Sequence, residues 1–197
     1  GQITPSGSIN YTAMDSTDFN VFGEIGFDEL ASMANYRFPS SLTVGPQPAY
    51  TGLPLQCNTT ISTQDNWGAP TNPADACFTW FPIVYAQQNL RISSGGTGQG
   101  ILLVEGDLEV SGGFTFYGVV VVRGTIRMTG TGGHINGTLI TYGDGDLSST
   151  STTLGNSVVQ YSSCGIERAV LGNPLLARVT PIANRSWMDM STILNSY

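Results

Sequence analysis

The sequence predicts an all-β protein: a β-helix (β-solenoid) of about five coils with an 18–19 residue period, an irregular N-terminal segment and a short C-terminal helical cap. Three observations carry that prediction. Short β-branched runs separated by Gly, Ser and Asn start at Phe81 and recur at a nearly constant interval. Equivalent positions in successive runs share their chemistry, as stacked coils require. Polarity is carried by small neutral groups: only 11% of the 197 residues are charged, and 25 are glycine, against an ordinary glycine usage of about 7%.

Taken in order, residues 1–56 read as an irregular N-terminal arm or cap, broken by Pro5, Pro39, Pro46, Pro48 and Pro54, with one helix candidate at residues 28–34. No basic stretch followed by an apolar one opens the chain, so the expectation is that any export signal has already been removed. Residues 57–80 form a loop bounded by Cys57 and Cys77 that also holds Trp67 and Trp80. A Cys57–Cys77 disulfide would close a loop of about 20 residues and contribute roughly 3 kcal/mol; two unpaired buried thiols are the alternative. Cys164 is left over and reads as a small buried hydrophobe.

Residues 81–164 carry the β-helix. The run from Ile83 repeats at Ile101 and Val119 with an offset of 18, then at Thr138 and Ser157 with an offset of 19. Each copy holds two short strands around a Gly or polar corner, too little to bury a core alone, so the copies must stack. Stacking places Leu90, Leu108 and Ile126 in one column and Ile92, Val110 and Met128 in another, both suited to an interior. Alternation turns Arg91, Glu109 and Arg127 outward as a column of alternating charge, and sets Glu105 beside Arg123.

The first strand of each copy is apolar on both faces. With Leu102, Val104, Val120 and Val122 inward, Ile101, Leu103, Val119 and Val121 face outward and must be covered. Cover could come from the N-terminal segment or from residues 186–194, which have helical spacing within the C-terminal cap of residues 165–197. A second copy of the chain is the other possibility, which makes these four residues a candidate self-association face.

Charge narrows the partners. Seven basic residues, all arginine, against 14 acidic ones leave a net charge of −7, unsuited to nucleic acid or an anionic membrane surface. The apolar run at residues 119–122 is far shorter than the ~20 residues of a membrane-spanning helix. His134, the single histidine, reads as a turn residue rather than the base of a triad. Glu105, Asp107 and Glu109 share a face by their spacing, which is the raw material of a carboxylate-based glycan-cleaving site, but Arg neighbours neutralise two of them. Asp144 and Asp146, at a predicted corner, form a weak Ca²⁺ candidate, since two carboxylates fall short of a full shell. No other cofactor is expected.

The residues Gln64-Asp65-Asn66-Trp67-Gly68, Phe81-Pro82-Ile83-Val84-Tyr85-Ala86, Gly98-Gln99-Gly100-Ile101-Leu102 and Gly113-Phe114-Thr115-Phe116-Tyr117-Gly118 resemble bacterial PilX-type pilus-assembly proteins. The likeness spans roughly Cys57 to Tyr197. It implies an envelope or surface protein with a β-helical region similar to the polymer-forming bactofilins, and it carries over no catalytic residue. The hydrophobic helix that anchors pilin-like proteins is not among these residues. The expectation is therefore a non-enzymatic structural subunit of an extracellular pilus-like or other surface filament, a homo-oligomer meeting other envelope or pilus proteins. The alternative is a monomeric adhesin or carbohydrate-binding module with Trp67, Trp80 and Tyr117 as stacking platforms.

Overall fold

A computed structural model describes residues 21–22, 25–93, 95–129, 133–141 and 158–176. Asp144, Asp146 and residues 186–194 lie outside the described residues. The chain begins with a short antiparallel pair, β1 (Val21–Phe22) and β2 (Ile25–Gly26), followed by α1 (Phe27–Ser32). Next come β3 (Tyr36–Phe38) and β4 (Leu42–Val44), then an antiparallel hairpin of β5 (Tyr50–Thr51) and β6 (Gln56–Cys57). The repeats supply β7 (Ile83–Ala86), β8 (Leu90–Ile92), β9 (Thr97–Val104), β10 (Leu108–Ser111), β11 (Thr115–Val122) and β12 (Ile126–Thr129). After them come β13 (His134–Thr141), β14 (Val158–Tyr161) and α2 (Ser163–Leu171).

These strands build a parallel β-solenoid from two sheets, a 6-stranded one in the order β14-β13-β11-β9-β7-β3 and a 4-stranded one in the order β12-β10-β8-β4. The predicted columns are the observed register: Leu108 lies between Leu90 and Ile126, Val110 between Ile92 and Met128, and Glu109 between Arg91 and Arg127. About three contiguous turns are regular, β7–β8, β9–β10 and β11–β12, where five coils were expected. The N-terminal segment adds a layer through β3 and β4, and β13 and β14 extend the 6-stranded sheet alone. The fourth copy keeps its predicted register, Thr138 beside Val119. The fifth does not: Val158 pairs with His134, not Leu139, a register that stacks Val159 on Ile135 and Gln160 on Asn136, like on like.

Between the sheets lies the main core, with Tyr36, Phe38, Val84, Leu90, Leu102, Leu108, Phe116 and Val120 among its buried residues. Each turn from the larger to the smaller sheet is closed by a polar ladder. Asn89 Oδ1 accepts from the Asp107 amide at 2.9 Å, and Asp107 Oδ1 accepts from the Thr125 amide at 2.8 Å and hydroxyl at 2.9 Å. Gly106 and Gly124 sit at this corner because a Cβ there would fall on the Asn89 and Asp107 side-chain oxygens of the coil below.

A second glycine column bends the long strands. Gly100, Gly118 and Gly137 stack in register with φ of 106°, 138° and 152°, values an L side chain rarely adopts. A Cβ on Gly118 would strike the Gly100 carbonyl oxygen and press on Ala169 of α2. The bend splits each long strand into halves with different neighbours: β7 pairs only with the second half of β9, and β14 only with the first half of β13.

The outward apolar column is covered from within the chain. Ile101, Leu103, Val119 and Val121 are 3%, 0%, 8% and 0% exposed, packed with Ile83 against Phe27, Leu30 and Ala31 from α1 and Ala169 from α2. They are therefore not a self-association face, because a second copy could reach them only after both helices had left. Arg37 fastens α1 by donating to the Ala31 and Ser32 carbonyls at 2.6 and 2.7 Å, a cation at the helix C-terminus. Arg123 fastens its other end: the guanidinium lies 4.0 Å from the Phe27 ring centroid, 3.1 Å from Asp28 and 2.9 Å from Glu105.

Candidate functional site

The solenoid leaves two surfaces to consider, a polar groove on the smaller sheet and an apolar one built largely by the segment between β4 and β7. That segment takes the place of a missing half-coil. Thr97, Gln99 and Ile101, on the open side of β9, donate their amides to the carbonyls of Pro46, Trp67 and Pro82 at 3.3, 2.8 and 3.0 Å. The loop therefore continues the backbone ladder without being a regular strand, which is how a Pro- and Asn-rich stretch can sit against a sheet.

Two buried amides organise it. Gln99 donates through Nε2 to the Phe78 and Trp80 carbonyls at 2.8 and 2.9 Å and to Cys77 at 3.3 Å. Asn66 donates to the Asn58 carbonyl at 2.7 Å and accepts the Gly68 amide at 3.1 Å. The predicted Cys57–Cys77 disulfide is formed, with 4.7 Å between the Cα atoms, and ties the base of the β5–β6 hairpin to this framework. Tyr50 adds a second tie, its hydroxyl donating to Asp75 Oδ2 at 2.6 Å; that bond to a carboxylate pushes the phenol pKa up to about 12.

The hairpin holds its tip away from the body. Leu53 is 96% exposed and Leu55 63%. On the other side of the disulfide, Phe78, Phe81, Arg168 and Leu171 line a shallow apolar cavity of about 370 Å³ between the loop and α2, with Glu167 also in its wall. The Arg168 guanidinium lies 4.5 Å from the Phe78 ring centroid and 5.3 Å from that of Phe81. Neither feature was singled out in the sequence; the signal available was Leu53-Pro54-Leu55 in a Gly/Pro turn, where apolar side chains have no strand to bury them.

The second surface is a polar groove of about 440 Å³ on the outer face of the smaller sheet, lined among others by Asn89, Arg91, Asp107, Glu109, Thr125 and Arg127. The three acidic candidates are here separated by environment. Glu105 accepts from Arg123 and from the Tyr85 hydroxyl at 2.9 Å on the α1 side, and burial, with Glu105 second, pushes the Tyr85 phenol pKa up. Asp107 is committed to the corner ladder, and Glu109 lies 3.8 Å from Arg91. His134 opens β13, its amide bonded to Phe114.

Of the aromatic platforms expected for a glycan, Trp67 is wholly buried, edge-on to Phe114 and Phe116 at 6.1 and 6.5 Å, and cannot present a face. Trp80 is half-buried with its indole N–H donated to Asn66, and Tyr117 is half-buried in β11. Cys164 is exposed on α2 instead of buried, because Ala169 is the residue that this helix turns into the sheet. Among the described residues no three His, Cys, Asp or Glu side chains converge as a metal cluster, and no helix is long and apolar enough to cross a membrane. The fold and these surfaces together define a parallel β-solenoid with a disulfide-pinned loop. The chain matches no family model, no curated protein and no solved structure.

Proposed function

We propose that the chain is a non-enzymatic structural subunit of an extracellular pilus-like or other cell-surface assembly of the bacterial envelope. One observation carries this reading. The 6-stranded sheet ends at β14, which among the described residues has a strand on one side only, and all four of its residues are exposed, Val158, Val159 and Tyr161 included. An open, apolar parallel edge is a template for another strand, and a solenoid that adds strands at its end grows along its axis. The disulfide fits an oxidising compartment, and the likeness to pilus-assembly proteins points the same way. The carboxylates Glu105, Asp107 and Glu109 are each engaged in coil stacking, which favours a structural over a catalytic use.

Sedimentation velocity and negative-stain electron microscopy across concentration test the reading. Oligomers or fibres are expected to grow with concentration, and Val159→Lys, which sets a charge on the exposed edge, is expected to suppress them. A wild-type chain that stays monomeric throughout overturns it. The second reading, an adhesin or carbohydrate-binding module, rests on the polar groove; glycan retention lost in Arg91→Ala with assembly absent would favour it.

A further inference from the structure

We propose that the polar groove on the outer face of the smaller sheet holds an uncharged polysaccharide strand lying along the solenoid axis. The inference rests on the second reading, a carbohydrate-binding module, and names its surface and its class of glycan; it does not depend on self-association. The groove, about 440 Å³ in volume, takes one outward residue from each of four stacked strands, Arg91, Glu109 and Arg127 following Thr43 of β4 in register. Beside this column runs the corner ladder of Asn89, Asp107 and Thr125. Each column repeats once per coil, about 4.8 Å apart, so four rungs span about 14 Å along the axis. A ligand that uses every rung is therefore long and straight and repeats its polar groups at close to that interval. Extended β-1,4-linked hexose chains do so, advancing by nearly one coil spacing per sugar.

The groups left to be bonded decide the chemistry. Asp107 spends Oδ1 on Thr125 and keeps Oδ2 free, and Asn89 spends Oδ1 on the Asp107 amide and keeps Nδ2 free. Arg91 and Glu109 approach only to 3.8 Å, too far for a hydrogen bond, and among the described residues Arg127 has neither a hydrogen bond nor an ion pair. Donors and acceptors thus alternate along the groove: guanidinium, carboxylate, guanidinium in one column, and amide N–H, carboxylate, hydroxyl in the other. A hydroxyl both donates and accepts, so a chain with hydroxyls at every step satisfies each rung. A polyanion would meet Asp107 and Glu109 on a chain of net charge −7, and a polycation would meet Arg91 and Arg127, so neither matches the whole column. A peptide strand pairs with the open backbone of a sheet edge, whereas this groove lies on a sheet face. Among the described residues no aromatic ring lines it, so retention comes from hydrogen bonds and grows with the number of rungs filled.

Isothermal titration calorimetry of the full chain with cello-oligosaccharides, and native electrophoresis through gels containing hydroxyethyl cellulose or polygalacturonate, test the assignment. Wild type is expected to be retarded by hydroxyethyl cellulose, with an affinity that rises from cellobiose to cellotetraose and levels off at cellohexaose, because the groove has four rungs. Arg127→Ala, which removes no bond of the fold, is expected to weaken cellohexaose binding about tenfold, the scale of one hydrogen bond to a charged group. Asp107→Asn keeps the Thr125 bonds through its remaining oxygen and turns the free acceptor into a donor; it is expected to weaken binding by a similar factor with its urea midpoint unchanged. Cellohexaose binding that is the same in both variants as in wild type overturns the groove and leaves the carbohydrate-binding reading standing. Retardation by polygalacturonate alone, abolished by salt, overturns the inference by assigning Arg91 and Arg127 to an anionic polymer. Wild type that binds neither polymer overturns both.

Discussion

Asp107 is the residue on which a catalytic and a structural account of this molecule part company. Its Oδ1 takes the Thr125 amide and hydroxyl of the next coil while its own amide is bonded to Asn89 of the coil before. A neutral acceptor of the same shape can make every one of these bonds, because both donors meet the same oxygen. Asp107→Asn is therefore expected to leave stability within about 0.5 kcal/mol of wild type, while Asp107→Ala, which strands the Thr125 amide, costs about 1 kcal/mol. Urea denaturation of the two variants checks this. A carboxylate whose charge mattered would show the reverse, with Asn as damaging as Ala.

At the scale of elements, the Cys-bounded loop supplies through Trp67 part of a substitute for half a coil, and its stability is tied to the disulfide. Losing the bond frees the loop in the unfolded chain, so Cys57→Ser/Cys77→Ser is expected to lower stability by roughly 3 kcal/mol for this separation of 20 residues. Urea denaturation followed by tryptophan fluorescence, to which Trp67, a buried residue of the loop itself, contributes, measures it. This element also marks how far the sequence could be read. The columns Leu90–Leu108–Ile126 and Arg91–Glu109–Arg127 were legible because an 18-residue period places like on like without any knowledge of the turns. The β3–β4 layer was not, because the long loop separates Leu42 from its partner Leu90 and hides the period. Trp67 misled for a related reason: a tryptophan among Pro, Asn and Asp reads as exposed unless the loop is known to fill a vacancy in a sheet. The cover of Ile101 and Val119 by α2 had one sign in the sequence, the glycine at 118, which admits Ala169 closely.

For the whole molecule, charge and apolar surface would act in opposite directions on the proposed assembly, and salt tests their balance. The net charge of −7 repels neighbouring copies over distances set by screening, about 30 Å at 0.01 M and about 8 Å at physiological ionic strength. The β14 edge on which the proposed assembly rests exposes Val158 and Val159, apolar side chains whose association salt does not weaken. Raising NaCl from about 0.01 M to about 0.15 M is therefore expected to lower the concentration at which oligomers form, as seen by sedimentation. Attraction carried by the outer ladder predicts the opposite. Arg91 and Glu109 lie 3.8 Å apart and largely in solvent, and exposed pairs of this kind contribute only about 0 to 1 kcal/mol and fade as salt rises. Oligomers that dissolve with added salt would therefore move the proposed subunit contact from the exposed β14 edge to the charged flank, where the groove lined by Arg91, Glu109 and Arg127 lies.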